Sequence, residues 1–172
     1  TDVKKRFSVT LEELLSEISQ YKAKSVVLTG GEPALVEGMP EFVAALKERG
    51  YFIAVETNAS IDVDWFQFVD YVACSPKSEF PDRIAIRRAN EVRVVASSPD
   101  VAGFCRKVRA VIDADDYYVS PCDRDGEIDF ATAKSVLAEL DGWSLEAVSD
   151  PIEDGGYTFR FATYINSAPI AY

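Results

Sequence analysis

Two hydrophobic patterns alternate along this chain, one with the period of a helix and one unbroken. Leu11, Leu14, Leu15 and Ile18 recur at helical spacing behind Thr10, and Glu13 three residues on completes a capping box, so the first element is a helix. Ser25 to Thr29 is short, β-branched and free of charge, the pattern of a strand covered on both faces. From Pro40, the residues Phe42, Val43 and Leu46 give a helical apolar face that Gly50 ends. Tyr51 to Val55 repeats the strand pattern, a short amphipathic piece around Trp65, Phe66 and Val69 follows, and Tyr71 to Cys74 is a third strand. Glu91 to Ala96 and Asp116 to Ser120 are two more. Asp100 to Ile112 is expected to be helical with Val101, Phe104, Val108 and Val111 on one side, and Phe130 to Leu140 is helical again.

Strands alternating with helices imply right-handed crossovers and a parallel sheet. The tail from Asp150 to Tyr172 breaks the rhythm: Tyr157, Phe159 and Phe161 alternate after Gly155-Gly156, which suggests an added strand or hairpin. The expected organisation is one α/β domain over residues 1–149 and a peripheral extension over 150–172. At 172 residues one domain with a substantial core is the default.

Charge narrows the functional classes. The net formal charge is -11 with no cluster of Lys or Arg, so the footprint of a direct nucleic-acid binder is missing. No apolar run approaches bilayer length and no secretory signal opens the sequence, so a soluble, cytoplasmic protein without membrane association is expected. Cys74, Cys105 and Cys122 are widely spaced, which fits a reducing compartment and buried structural thiols better than disulfides or a close-spaced metal site. The sequence contains no His, which removes the commonest general base and metal ligand. The acid-rich Asp113, Asp115 and Asp116 read as a solvated loop, and Asp123-Arg124-Asp125-Gly126 as a turn, since the longer calcium-loop pattern is not completed.

In parallel sheets ligands bind at the carboxyl ends of the strands. Four motifs fall there: Gly30-Gly31-Glu32-Pro33, Glu56-Thr57-Asn58, Ser75-Pro76-Lys77 and Ser120-Pro121. Two glycines let the backbone turn sharply and present bare carbonyls, which suit an ammonium group, and Glu32 adds negative charge beside them. Neither a P-loop nor a dinucleotide fingerprint is present. Gly-Gly-Glu-Pro is equally a tight turn in which Pro33 sets the next φ. Glu56, Thr57 and Asn58 offer a charge, a hydroxyl and an amide for a ribose or amino-acid moiety, or they simply cap and turn the chain. Ser75 and Lys77 suit a carboxylate, or Lys77 is a surface residue after a turn. No residue is singled out as catalytic.

Taken together, "VVLTGGEPAL" resembles the Gly-Gly-Glu-Pro strand of radical S-adenosylmethionine enzymes, and "VETNAS" with "CSPK" resembles the next strand ends of 7-carboxy-7-deazaguanine synthases, in matching order from about Thr10 to Pro121. The resemblance implies a partial or modified (β/α) TIM-like barrel with parallel strands, using S-adenosylmethionine, a [4Fe-4S] cluster and Mg2+. The implied chemistry is radical hydrogen abstraction from 6-carboxy-5,6,7,8-tetrahydropterin, which contracts to 7-carboxy-7-deazaguanine with loss of ammonia, a step toward queuosine-type nucleosides. By motif, Gly30, Gly31 and Glu32 with Pro33 would hold the methionyl ammonium, and Glu56, Thr57, Asn58, Ser75 and Lys77 the rest of the cofactor or the pterin. The resemblance also implies pterin contacts from Thr29, Gly31 and Pro121, magnesium contact from Thr1, an electron donor such as flavodoxin or ferredoxin, and a homodimer.

Two departures stand out. The family's Cys-x3-Cys-x2-Cys cluster loop has no counterpart, since no cysteine precedes Cys74. The expectation is that the sequence starts just after that loop, with Thr1 in the place of the threonine of a Cys-Asp-Thr ending. The family's Gln-x-His-like closing strand is also not evident around Trp143 to Val148. Two other readings follow: another radical S-adenosylmethionine enzyme, such as a glycyl-radical activating enzyme, or a non-catalytic S-adenosylmethionine-binding α/β domain without a cluster.

Overall fold

The capping box at the chain's first helical signal sets the start of α1 (Leu11–Ser19): Thr10 N–H donates to the Glu13 carboxylate at 2.8 Å and Glu13 N–H donates to Thr10 Oγ1 at 3.2 Å. The computed structural model describes residues 9–146. The remaining elements are β1 (Ser25–Leu28), α2 (Met39–Glu48), β2 (Phe52–Thr57), β3 (Tyr71–Cys74), β4 (Arg88–Ala96), α3 (Val101–Val111), β5 (Asp113–Arg124), β6 (Glu127–Asp129), α4 (Phe130–Leu137) and β7 (Ser144–Leu145). Single 3-10 turns at Pro33–Leu35 and Asp64–Phe68 complete the list. Thr1, Lys4 to Arg6 and the 150–172 extension lie outside the described residues.

The described chain forms two compact units. The first, residues 9–57 and 62–72, pairs β1 with β2 in parallel, Ser25 opposite Phe52 and Leu28 opposite Val55. Ile53, Ala54 and Val55 are buried in succession, as an unbroken apolar run on a strand covered on both faces should be. Helix α2 contributes Phe42, Val43 and Leu46 to this core. Strand β1 departs from expectation: Leu28 is buried, but Val27 is 37% exposed. Among the described residues β1 pairs with β2 alone, so it has a strand neighbour on one side only.

Asp70 ties the far end of β2 in place. Its carboxylate accepts the Ile53 N–H at 2.8 Å and both of its oxygens stand 2.7 Å from Lys47 Nζ on α2. Burial pushes the carboxyl's pKa up, but the Lys47 ammonium and the Ile53 amide outweigh that and hold it below the usual value. A lowered folded-state pKa means stability that is present above the unfolded-state value and lost as pH falls through the folded one. Asp70→Ala is expected to cost about 1–3 kcal/mol in urea denaturation at neutral pH, because the Ile53 amide loses its acceptor. The gap between parent and variant should close on acidification; a constant gap down to acid unfolding would refute the role.

The second unit comprises residues 58–61 and 73–146. Ala73 and Cys74 pair in parallel with Glu91 and Val92, β4 runs parallel to β5 from Arg88 opposite Asp113 to Ala96 opposite Pro121, and β7 runs parallel to β5. Strand β6 returns antiparallel after a turn at Asp125 and Gly126, both with positive φ, so the expected turn is there. Helix α4 packs on β4 and β5, α3 packs on β5 and α4, and Val92, Val94, Ala96, Val119, Val108, Ala133 and Val136 form the core. On α3 the buried stripe is Val101, Ala102, Cys105 and Val108; Phe104 and Val111 lie at its margin, because the apolar face is centred one position later than the bulkiest residues suggest. The arrangement is mixed, mostly parallel α/β.

Two boundaries correct the sequence reading. Asp113, Asp115 and Asp116 are not a loop but the start of β5, exposed on a strand whose backbone pairs with β4. Arg88 recruits them: it donates to the Asp113 carbonyl at 3.2 Å and bonds the Asp115 carboxylate. Ser120-Pro121 is likewise not a strand end, since β5 continues to Arg124.

Candidate functional site

In the first unit the chain leaves β1 through Thr29, Gly30 and Gly31 and reaches Glu32 in extended backbone. Gly30 at φ 85° and Gly31 at φ 55° are both left-handed, a conformation that costs an L-residue roughly 1–2 kcal/mol. A Cβ at either position would meet no atom within 4 Å. Backbone angle, not crowding, therefore demands glycine here, and the space over the corner is open to a ligand. Pro33, buried, then starts a single 3-10 turn capped by Glu32, whose Oε1 accepts the Ala34 N–H at 3.3 Å.

Two crossed hydrogen bonds join this corner to the end of β2. Thr57 Oγ1 donates to Glu32 Oε1 at 2.7 Å, and Thr29 Oγ1 donates to Glu56 Oε2 at 3.1 Å. Each motif thus supplies one hydroxyl and one carboxylate. Thr57 is buried while Thr29, Gly30 and Gly31 are exposed, so the Glu32 carboxylate is held from the protein side beside an accessible glycine backbone. Fixed carboxylates beside bare carbonyls make a receptor for a cationic amine.

The remaining motif residues belong to the second unit. Asn58 Oδ1 accepts the Ser60 N–H at 2.8 Å, the turn-forming use open to it from sequence, and precedes the left-handed Ala59. Lys77 Nζ donates to Ser75 Oγ at 3.1 Å, both half-buried, so these two are brought together. Pro121 is half-buried inside β5 opposite Ala96. Thr1 lies outside the described residues.

A polar group in the second unit escaped the sequence reading. Arg93, with a side chain 4% exposed, lies between Glu91, which its Nε contacts, and Glu146, whose Oε1 is 3.7 Å away. Ser120 Oγ donates to Glu146 Oε2. Register explains the gathering: Glu91 and Arg93 are two apart on β4, Arg93 faces Tyr118 and Val95 faces Ser120. All point away from Val92 and Val94. Burial pushes the Tyr118 hydroxyl's pKa up, with Asp116 and Glu91 adding to it and Arg93 opposing. The available signal was a glutamate and an arginine two apart inside the apolar run "NEVRVVA".

Known proteins are similar to this chain. The chain is 34% identical over 139 residues to the 7-carboxy-7-deazaguanine synthase of Haemophilus influenzae, a match covering 79% of this chain and 64% of that one. It is 37% identical over 119 residues to the synthase of Neisseria meningitidis, covering 67% and 55%. The sequence resembles the 7-carboxy-7-deazaguanine synthases. A third synthase, from Bacteroides thetaiotaomicron, is 32% identical over 114 residues. The crystal structure of QueE from Escherichia coli superposes with a TM-score of 0.57 at 23% identity, covering 80% of this chain and 63% of that one, and bears out the α/β fold of parallel strands. The matches span less than two thirds of the length of these synthases and of QueE. No family model matches.

The cofactors implied by the resemblance meet the residues differently. The glycine corner and its paired carboxylates fit the ammonium end of S-adenosylmethionine. The cysteines do not fit an iron-sulfur cluster, whose ligands must be thiolates. Cys74 and Cys105 are buried, burial pushes the Cys105 thiol up to about 12, and Cys122 Sγ lies 3.5 Å from its neighbour's carbonyl. Among the described residues no three metal-ligating side chains are gathered, and no helix is long and apolar enough to cross a membrane.

Proposed function

We propose that this chain holds S-adenosylmethionine and a pterin for the reaction of a radical S-adenosylmethionine lyase, the conversion of 6-carboxy-5,6,7,8-tetrahydropterin to 7-carboxy-7-deazaguanine. The observation that carries the reading is the pair of crossed bonds, Thr57 to Glu32 and Thr29 to Glu56, at an open Gly30-Gly31 corner. Similarity to several synthases supports it.

Glu32 and the carbonyls of Gly30 and Gly31 receive the methionyl ammonium, and Glu56 accepts from the cofactor's hydroxyl or amine donors. Bound there, S-adenosylmethionine supplies the hydrogen-abstracting group of the reaction. Lys77, with Ser75 beside it, is a counter-charge for a carboxylate, present both in the cofactor and in the pterin. In this reading Thr29 and Gly31 contact the substrate, and Thr1 serves magnesium. The iron-sulfur thiolates lie beyond these cysteines, with an external one-electron donor and a homodimeric, cytoplasmic protein completing the proposal.

The test is direct. Isothermal titration of the full chain with S-adenosylmethionine should show saturable one-site binding, and anaerobically reconstituted protein should be assayed by mass spectrometry for 7-carboxy-7-deazaguanine. Binding with product supports the lyase. Binding without iron, sulfide or product supports the second reading, a cofactor-binding α/β domain, which the separation of the three cysteines favours. Absence of binding overturns both.

A further inference from the structure

From sequence Thr57 was open to two uses, touching a cofactor or capping a turn, and the structure adds a third. Its hydroxyl is buried and donates to Glu32 Oε1 at 2.7 Å, across 25 residues of chain. The same oxygen accepts the Ala34 amide at 3.3 Å. Two donors from two elements converge on one carboxylate oxygen: one from β2, the other from the 3-10 turn that Glu32 itself caps. We infer that Thr57 is a positioning residue, which fixes the Glu32 carboxylate in its cation-receiving orientation before S-adenosylmethionine arrives.

Three physical points make the arrangement more than packing. A glutamate side chain carries roughly 1.5–2 kcal/mol of rotamer entropy that ordering removes. Where ordering is completed on folding, ligand binding does not meet that cost again, so affinity rises without a new ligand contact. The β-branched threonine is stiff at χ1, and a donor on the last residue of a strand anchored by the buried Ile53, Ala54 and Val55 holds its direction well. The Thr29 to Glu56 bond at 3.1 Å uses the same device in the opposite sense across the same strand ends, although its donor is exposed.

This inference rests on the S-adenosylmethionine reading above, and the experiment separates the two. Titrate S-adenosylmethionine into the full-length parent, Thr57→Val, Thr57→Ser, Glu32→Ala and the double variant Thr57→Val/Glu32→Ala, with a thermal melt of each. Thr57→Val, which keeps the shape and loses the donor, should weaken binding about tenfold. Thr57→Ser, which keeps the hydroxyl, should restore binding to within about twofold of the parent, a rescue that a purely steric role would not give. In the Glu32→Ala background Thr57→Val should change affinity by less than about twofold, since its acceptor is gone.

Equal losses in the valine and serine variants would overturn the inference, as would an undiminished valine effect in the Glu32→Ala background, which would mean that Thr57 touches the ligand itself. Parent affinity in Thr57→Val would overturn it as well. If the parent does not bind, the functional reading falls first, and the positioning claim falls with it. Should Thr57→Val fail to fold, Thr57→Ala enters the same comparisons.

Discussion

Arg93→Met is expected to lower unfolding free energy by about 3–5 kcal/mol, the largest effect of any single substitution discussed for this protein. The guanidinium lies between Glu91 and Glu146 with its side chain 4% exposed, and the two carboxylates are 10% and 17% exposed. Methionine fills similar length but leaves two like charges close together in a site with little water. The loss comes less from the contacts deleted than from the charges stranded. Replacing Glu91, Arg93 and Glu146 together by methionine should recover most of it, because a buried ion group exchanged whole for apolar side chains is often neutral or stabilising. Guanidinium denaturation of the single and triple variants measures both values. A single variant within about 1 kcal/mol of the parent would mean that the glutamates find solvent, and the buried-cluster account would be wrong.

Glu32→Gln is expected to weaken S-adenosylmethionine binding roughly 10- to 150-fold while leaving the fold intact. Glutamine keeps an acceptor for Ala34 and Thr57, so the substitution isolates the charge. A hydrogen bond to a charged group is worth about 1.5–3 kcal/mol, and each 1.4 kcal/mol is tenfold in affinity. Added salt should narrow the difference, because the Gly30-Gly31 corner is exposed. Calorimetric titration at two ionic strengths decides it, and equal affinities in parent and variant would remove Glu32 from the cofactor site.

Local signals with local causes were legible in the sequence. The Thr10-Glu13 capping box, the helix ended by Gly50 and the turn at Asp125-Gly126 all rest on interactions within a few residues, and each is found. Strand ends were harder. Asp113 to Asp116 and Pro121 look like interruptions because their own propensities disfavour strand, yet pairing with β4 along most of its length overrides them. The candidate site divides the same way. Gly-Gly-Glu-Pro and Glu-Thr-Asn could be recognised as motifs, but that they exchange hydroxyls and carboxylates depends on β1 and β2 lying side by side. The Glu91, Arg93, Ser120 and Glu146 group was invisible for a similar reason, since its members span 56 positions from Glu91 to Glu146, both counted, and meet only through register.

The burial of Cys74 and Cys105, set against the half-exposed Cys122, has a practical side. A thiol pushed up to about 12 holds almost no thiolate at neutral pH, so Cys105 is inert to maleimides while the protein stays folded. A brief labelling reaction should therefore place one fluorophore on Cys122, next to Pro121, with no engineered cysteine. Within this chain Cys122 is thus a single-site reporter, and a change of its emission on adding pterin would watch the candidate substrate strand directly.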